Sequence, residues 1–144
     1  MMKMDILEVV NIKNKTILLI DDEVNVREIV ELCLKDLAGW NVLTVDSPLA
    51  GLPSVVGNSL DAIVLDISIG GIDSFKFIDK LRNHPKTQAI PIVLLSARVR
   101  WLDSQILRKY QIAGVILKPF DPVKLPAQIA KLLNWDYSIP NSNF

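Results

Sequence analysis

Apolar residues along this chain fall into two alternating patterns: short unbroken runs of strand formers, and stripes that recur at steps of three and four. The runs are Thr16-Ile17-Leu18-Leu19-Ile20, Asn41-Val42-Leu43-Thr44-Val45, Ala62-Ile63-Val64-Leu65, Ile90-Pro91-Ile92-Val93-Leu94-Leu95 and Gly114-Val115-Ile116-Leu117. In the third, consecutive rather than alternating positions are apolar, which suits a parallel strand covered by helices on both faces.

Between the runs, Val26, Ile29, Val30, Cys33 and Leu37 mark the buried stripe of a first helix that ends near Gly39. Ser47 is placed to cap a second helix with Pro48 at its first position, and Pro53 and Gly57 predict that it is short. Asp73 or Ser74 can cap a third, burying Phe77, Ile78 and Leu81. Val99, Leu102, Ile106 and Tyr110 make the stripe of a fourth, with Trp101, Gln105 and Arg108 on another face. Leu125, Ile129, Leu132 and Leu133 make a fifth, and Pro126 fits best in its first turn.

Five strands alternating with five helices predict an α/β fold with right-handed crossovers and a parallel sheet covered on both sides. The divisions are an N-terminal extension at 1-14 without a clean period, one domain at 15-133, and a loosely held tail at 134-144, rich in Asn, Ser and Pro. A chain of 144 residues, half of them hydrophobic, is long enough to bury one sizeable core. Sixteen basic residues balance sixteen acidic ones, so no net field invites nucleic acid or an anionic membrane. Cys33 is the single cysteine and lies on the first helix's apolar stripe, which predicts a buried structural thiol rather than a reactive one. No apolar run reaches the ~18 residues of a membrane span, and no leader pattern is present, so a cytoplasmic protein is expected.

The polar residues at the strand ends carry the chemistry. Asp21 and Asp22 end the first strand, Asp66 the third, Ser96 the fourth and Lys118 the fifth. Any one aspartate in such a place commonly just caps a loop. Here all five residues converge on the carboxyl edge of the sheet, where open α/β sheets keep their ligand sites. Three gathered carboxylates repel one another unless a divalent cation joins them, and a site of few carboxylates and all-oxygen donors suits Mg²⁺. Asp21, Asp22 and Asp66, with a backbone carbonyl near Ser68, are the expected metal ligands. A transferring phosphoryl group needs a cation around its oxygens and a nucleophile in line, which makes Asp66 the candidate phosphoacceptor, with Ser96 and Lys118 to bind the phosphoryl oxygens. His84, in a polar turn beside Pro85, has no partner ligand nearby in sequence.

The ordered set Asp21-Asp22, Asp66, Ser96-Ala97 and Lys118-Pro119-Phe120 resembles the receiver domain of two-component response regulators, and is closest in kind to the stand-alone, chemotaxis-regulator type. The resemblance implies a flavodoxin-like sheet in the order 2-1-3-4-5. It also implies a cis peptide before Pro119. It implies a histidine kinase or phosphotransfer protein as phosphodonor and an unknown downstream protein as target, with a homodimer left open; the balanced charge and the lack of an apolar span make neither DNA nor membrane an expected partner. No separate substrate is turned over; such a domain promotes only its own phosphorylation and dephosphorylation.

Three positions depart from the family pattern. Gly70 and Ser74 replace a proline and a glycine in the segment after the phosphoacceptor, and Val115 stands where receivers usually carry a Tyr or Phe that rotates inward on activation. The readout is therefore expected to differ, and Trp101 is a candidate partner-surface residue. With only a short stretch after Leu133, no output domain is expected within this sequence. The alternative reading is a receiver-fold interaction module that acts independently of phosphorylation. A dehalogenase-type phosphohydrolase ranks last, because the second residue after Asp66 is Ser68 rather than Asp.

Overall fold

The computed structural model describes residues 14–67, 71–97 and 99–137. The expectations for the N-terminal extension up to residue 13, for Ser68 and for the end of the tail lie outside the described residues. In chain order the elements are β1 (Thr16–Ile20), α1 (Val24–Asp36), β2 (Asn41–Val45), α2 (Pro48–Gly57), β3 (Ala62–Ile67), α3 (Ile72–Arg82), β4 (Ile92–Ser96), α4 (Ser104–Lys109), β5 (Gly114–Leu117) and α5 (Leu125–Leu132).

The five strands form one parallel sheet in the order β2-β1-β3-β4-β5, the flavodoxin-like arrangement that the resemblance implied. Every residue of β3 is buried, as its unbroken apolar run requires. Alternate side chains feed two cores. Ile17, Leu19, Val64 and Val93 face Val30 and Leu34 of α1 and Ile129 of α5. Leu18, Ile20, Ile63 and Leu65 face Val55 of α2 and Phe77, Ile78 and Leu81 of α3.

Several local expectations give way to packing. On α1 the buried stripe turns toward Leu34, and Ile29 is left exposed. Cys33 is buried as expected, and desolvation pushes its thiol up, with Asp121 and Asp36 adding to the effect. Pro53 lies inside α2 without ending it; Leu49 and Val56 point outward while Gly51 and Val55 meet the sheet. The fourth helix is shorter than its periodicity suggested. Asp103 Oδ1 accepts from the Gln105 and Ile106 amides and starts α4 at Ser104, so Val99, Trp101 and Leu102 belong to the preceding loop.

The tail is not loose at its start. Trp135 packs edge-on against buried Trp40, with ring centroids 5.3 Å apart, and Tyr137 stacks at a tilt on the same ring. The Trp135 amide also donates to the Ala130 carbonyl at 2.8 Å.

Candidate functional site

Strand register brings the polar strand ends together. The Asp21 amide donates to the Val45 carbonyl at 3.2 Å, prolonging the β1–β2 ladder by one residue and burying Asp21 to 1% exposure. Asp22, one residue on, is exposed. Asp66 is the fifth residue of β3, opposite Leu95 of β4, and is also buried. Ser96 pairs with Leu117 at the end of β5, and the Lys118 amide donates to the Ser96 carbonyl at 2.8 Å. The Lys118–Pro119 peptide is cis, as the resemblance implied.

Lys118 reaches back across the sheet edge to Asp66. Its Nζ donates to Asp66 Oδ1 at 2.7 Å and lies 2.6 Å from Oδ2, so one ammonium straddles the carboxylate. Oδ2 gains the charge contact but no hydrogen bond of proper geometry. Asp21 Oδ1 accepts from the Glu23 amide at 2.9 Å, while its Oδ2 is buried with no partner. The Asp21 carbonyl is held by Arg27 Nη1 at 2.7 Å, which braces the turn into α1.

Two buried carboxyls share one ammonium, and the electrostatics follow. Asp21 is pushed up to about 6, chiefly by burial and further by the Asp66 charge, while the Glu23 amide and Lys118 pull the other way. A buried carboxylate oxygen without a partner costs stability unless something positive meets it. Asp21 Oδ2 is such an atom, and Asp21 and Asp66 both line a cleft of about 430 Å³ together with Asp22, Asp46 and Asp73.

That donor set fits a hard divalent cation. Asp21 and Asp66 would supply inner oxygens, and Asp22 lines the cleft from an exposed position, suited to contact through water. Among the described residues no group of three or more His, Cys, Asp or Glu side chains stands assembled as a metal site. The carbonyl of Ser68, the fourth expected ligand, lies outside the described residues.

Ser96 is placed at the expected edge but is turned away. Its Oγ donates to the Ala97 carbonyl at 2.8 Å, so binding an anion beside Asp66 requires it to exchange that partner. Asp46 and Asp73 were missed as cleft residues. Asp46 carried the same signal as the others, a carboxylate directly after a strand, and Asp73 was read only as a helix cap. The capping position is instead Gly71, at φ +60°.

Comparison with known proteins follows the same lines. A family model described as the response regulator receiver domain matches residues 17–130. Among curated relatives, the transcriptional regulatory protein YvrH of Bacillus subtilis is 31% identical over 127 residues, covering 87% of this chain and 52% of that protein. The chain thus spans about half the length of the first such relatives. Chemotaxis protein CheY-3 of Vibrio cholerae is 28% identical over 122 residues, covering 83% of this chain and 92% of that one. The receiver domain of the sensor histidine kinase PA1611 from Pseudomonas aeruginosa, solved with magnesium coordinated in its active site cleft, shares the fold. Its TM-score is 0.70 at 21% identity, over 84% of this chain and 98% of that one.

Proposed function

The chain belongs to the response regulator receiver family, and from that membership we propose that Asp66 accepts a phosphoryl group from a phosphohistidine of a histidine kinase or phosphotransfer protein. The observation that carries this reading is the contact of Lys118 Nζ with both oxygens of buried Asp66, beside the unpartnered Asp21 Oδ2. When bound, Mg²⁺ would be held by Asp21, Asp22 and Asp66 and would supply positive charge to offset that of the phosphoryl group.

The chain's own residues do the rest. Asp66 presents one oxygen for in-line attack once Lys118 shifts from straddling the carboxylate to meeting the incoming oxygens. Lys118 can make that move because its side chain is 30% exposed, whereas the Asp66 side chain is held at 2%. Ser96 turns its hydroxyl from Ala97 to the modified group. Asp21 and Asp22 hold the metal, directly or through water.

In this reading the domain is a phosphoacceptor that signals by binding a protein partner, not an enzyme acting on a separate substrate. Among the described residues no helix is long and apolar enough to cross a membrane. Incubation with acetyl phosphate, followed by intact mass, tests the reading. A single phosphate adduct that needs both Mg²⁺ and Asp66 is expected. An adduct that persists in Asp66→Asn would move the phosphoacceptor to another residue, and none under any condition would favour the phosphorylation-independent interaction module instead.

A further inference from the structure

We infer that Trp101 is a positioning residue for the acidic cleft and carries the state of that cleft to the face between α3 and α4. The inference rests on the reading of Asp66 as phosphoacceptor and concerns how that event is read out. Val115, packed into the core opposite Leu94 of β4, offers no ring on β5 to move.

Trp101 is tied to the cleft at one end. Gly71 starts α3 in the left-handed region and lines the cleft with Asp73 and Ser74. A Cβ built on Gly71 would lie 3.0 Å from Trp101 Cη2 and 3.3 Å from Ile67 Cγ2. The indole and the residue after Asp66 therefore both close over Gly71, leaving no room for a side chain at the start of α3. The first turn of α3 cannot move toward the indole without displacing it.

At its other edge the indole meets a ladder of rings. Trp101 packs edge-on against Phe75 with centroids 5.6 Å apart, and Phe75 packs at a tilt on Tyr110 at 4.8 Å. Tyr110 ends α4, and its carbonyl accepts from Arg82 Nε of α3 at 2.9 Å. The rings thus run from the edge of the cleft to the far end of α4. They line a groove of about 460 Å³ that shares Gly71 and Ile72 with the cleft. Trp101 is 44% exposed, so its free edge has room to move while its inner edge stays in contact with Gly71.

Fluorine NMR of the full chain labelled with 5-fluorotryptophan tests this, because the chain has three tryptophans and two of them, Trp40 and Trp135, pack on each other away from the groove. Beryllofluoride with Mg²⁺ serves as the phosphoryl analogue, and the Asp66 backbone amide reports binding independently. The Trp101 signal, identified by its loss in Trp101→Phe, should move in step with saturation while the other two hold still. Trp101→Ala should weaken beryllofluoride affinity roughly three- to tenfold, and Trp101→Phe should restore it to within about twofold. A shifted Asp66 amide with a stationary Trp101 signal and unchanged affinity in Trp101→Ala would overturn the coupling and leave the phosphoacceptor reading intact. An Asp66 amide that never responds would remove that reading, and the coupling with it.

Discussion

Asp21 should make the metal-free protein lose stability as the pH rises from about 4 through about 6. Its carboxyl is raised from 3.8 to about 6 in the folded chain, mainly by burial. A folded-state value above the unfolded one means the native state holds the proton more tightly, so the contribution is complete below pH 3.8 and gone above about 6. By linkage that rise is worth at most about 3 kcal/mol over the whole window, and about 1 kcal/mol between pH 5 and 7.5 once solvent screening is allowed for. For a domain of this size that is roughly 3–6 °C in Tm. The assay is urea unfolding in excess chelator at pH 5, 6 and 7.5, run in parallel on Asp21→Asn. Other groups titrate in the same range, so the difference between the two proteins isolates Asp21. The native sequence should lose about 1 kcal/mol more than Asp21→Asn from pH 5 to 7.5. Saturating Mg²⁺ should reverse the trend in the native sequence only, because the metal binds the ionised carboxylate. Parallel pH profiles for the two proteins in chelator would refute the reasoning.

Further consequences can be checked on single variants. Lys118→Met leaves the Asp66 carboxylate buried beside Asp21 without its cation, and should cost about 1–3 kcal/mol at pH 7 by urea unfolding while abolishing the phosphate adduct. Arg82 donates to the carbonyls of Tyr110, Gln88, Ile90 and Gln111, tying the end of α3 to the approach to β4 and the turn after α4. Arg82→Ala should therefore cost about 2–3 kcal/mol, and hydrogen exchange should rise first around Tyr110 and Gln111. Removing Trp135 and everything after it uncovers Trp40, which should lower stability by about 1–3 kcal/mol and shift Trp40 fluorescence to the red.

The sheet was legible because its strands are covered on both faces. Ile17 to Ile20, Ile63 to Leu65 and Ile92 to Leu95 are continuous apolar runs, and all are buried. Asp66 and Lys118 were legible for the same reason, since a charge that interrupts or follows such a run must find a partner at the sheet edge. The strand order and the cis peptide came from family resemblance; periodicity is silent on both.

What stayed hidden depended on contacts distant in sequence or on backbone conformation. The pairing of Trp40 with Trp135 joins residues from opposite ends of the domain, which no local pattern displays. That Asp21 is buried and Asp22 exposed follows from one more rung of β1–β2 pairing, beyond the visible end of the strand. The start of α4 was misplaced because the apolar spacing of Val99 and Leu102 imitates a helix that the Asp103 cap begins only later. Gly71 was passed over as a cap because a side-chain acceptor was sought where the backbone needed a positive φ.

The most direct test of Asp66 as phosphoacceptor is chemical trapping of the modified residue. An acyl phosphate, unlike a phosphate ester, is reduced by borohydride to an alcohol, which turns the modified aspartate into homoserine. After reaction with acetyl phosphate and Mg²⁺, reduction and proteolysis, peptide sequencing by mass spectrometry should find homoserine at position 66 and aspartate at 21, 22, 46 and 73. Homoserine at one of those other cleft positions, or at none, would contradict the assignment.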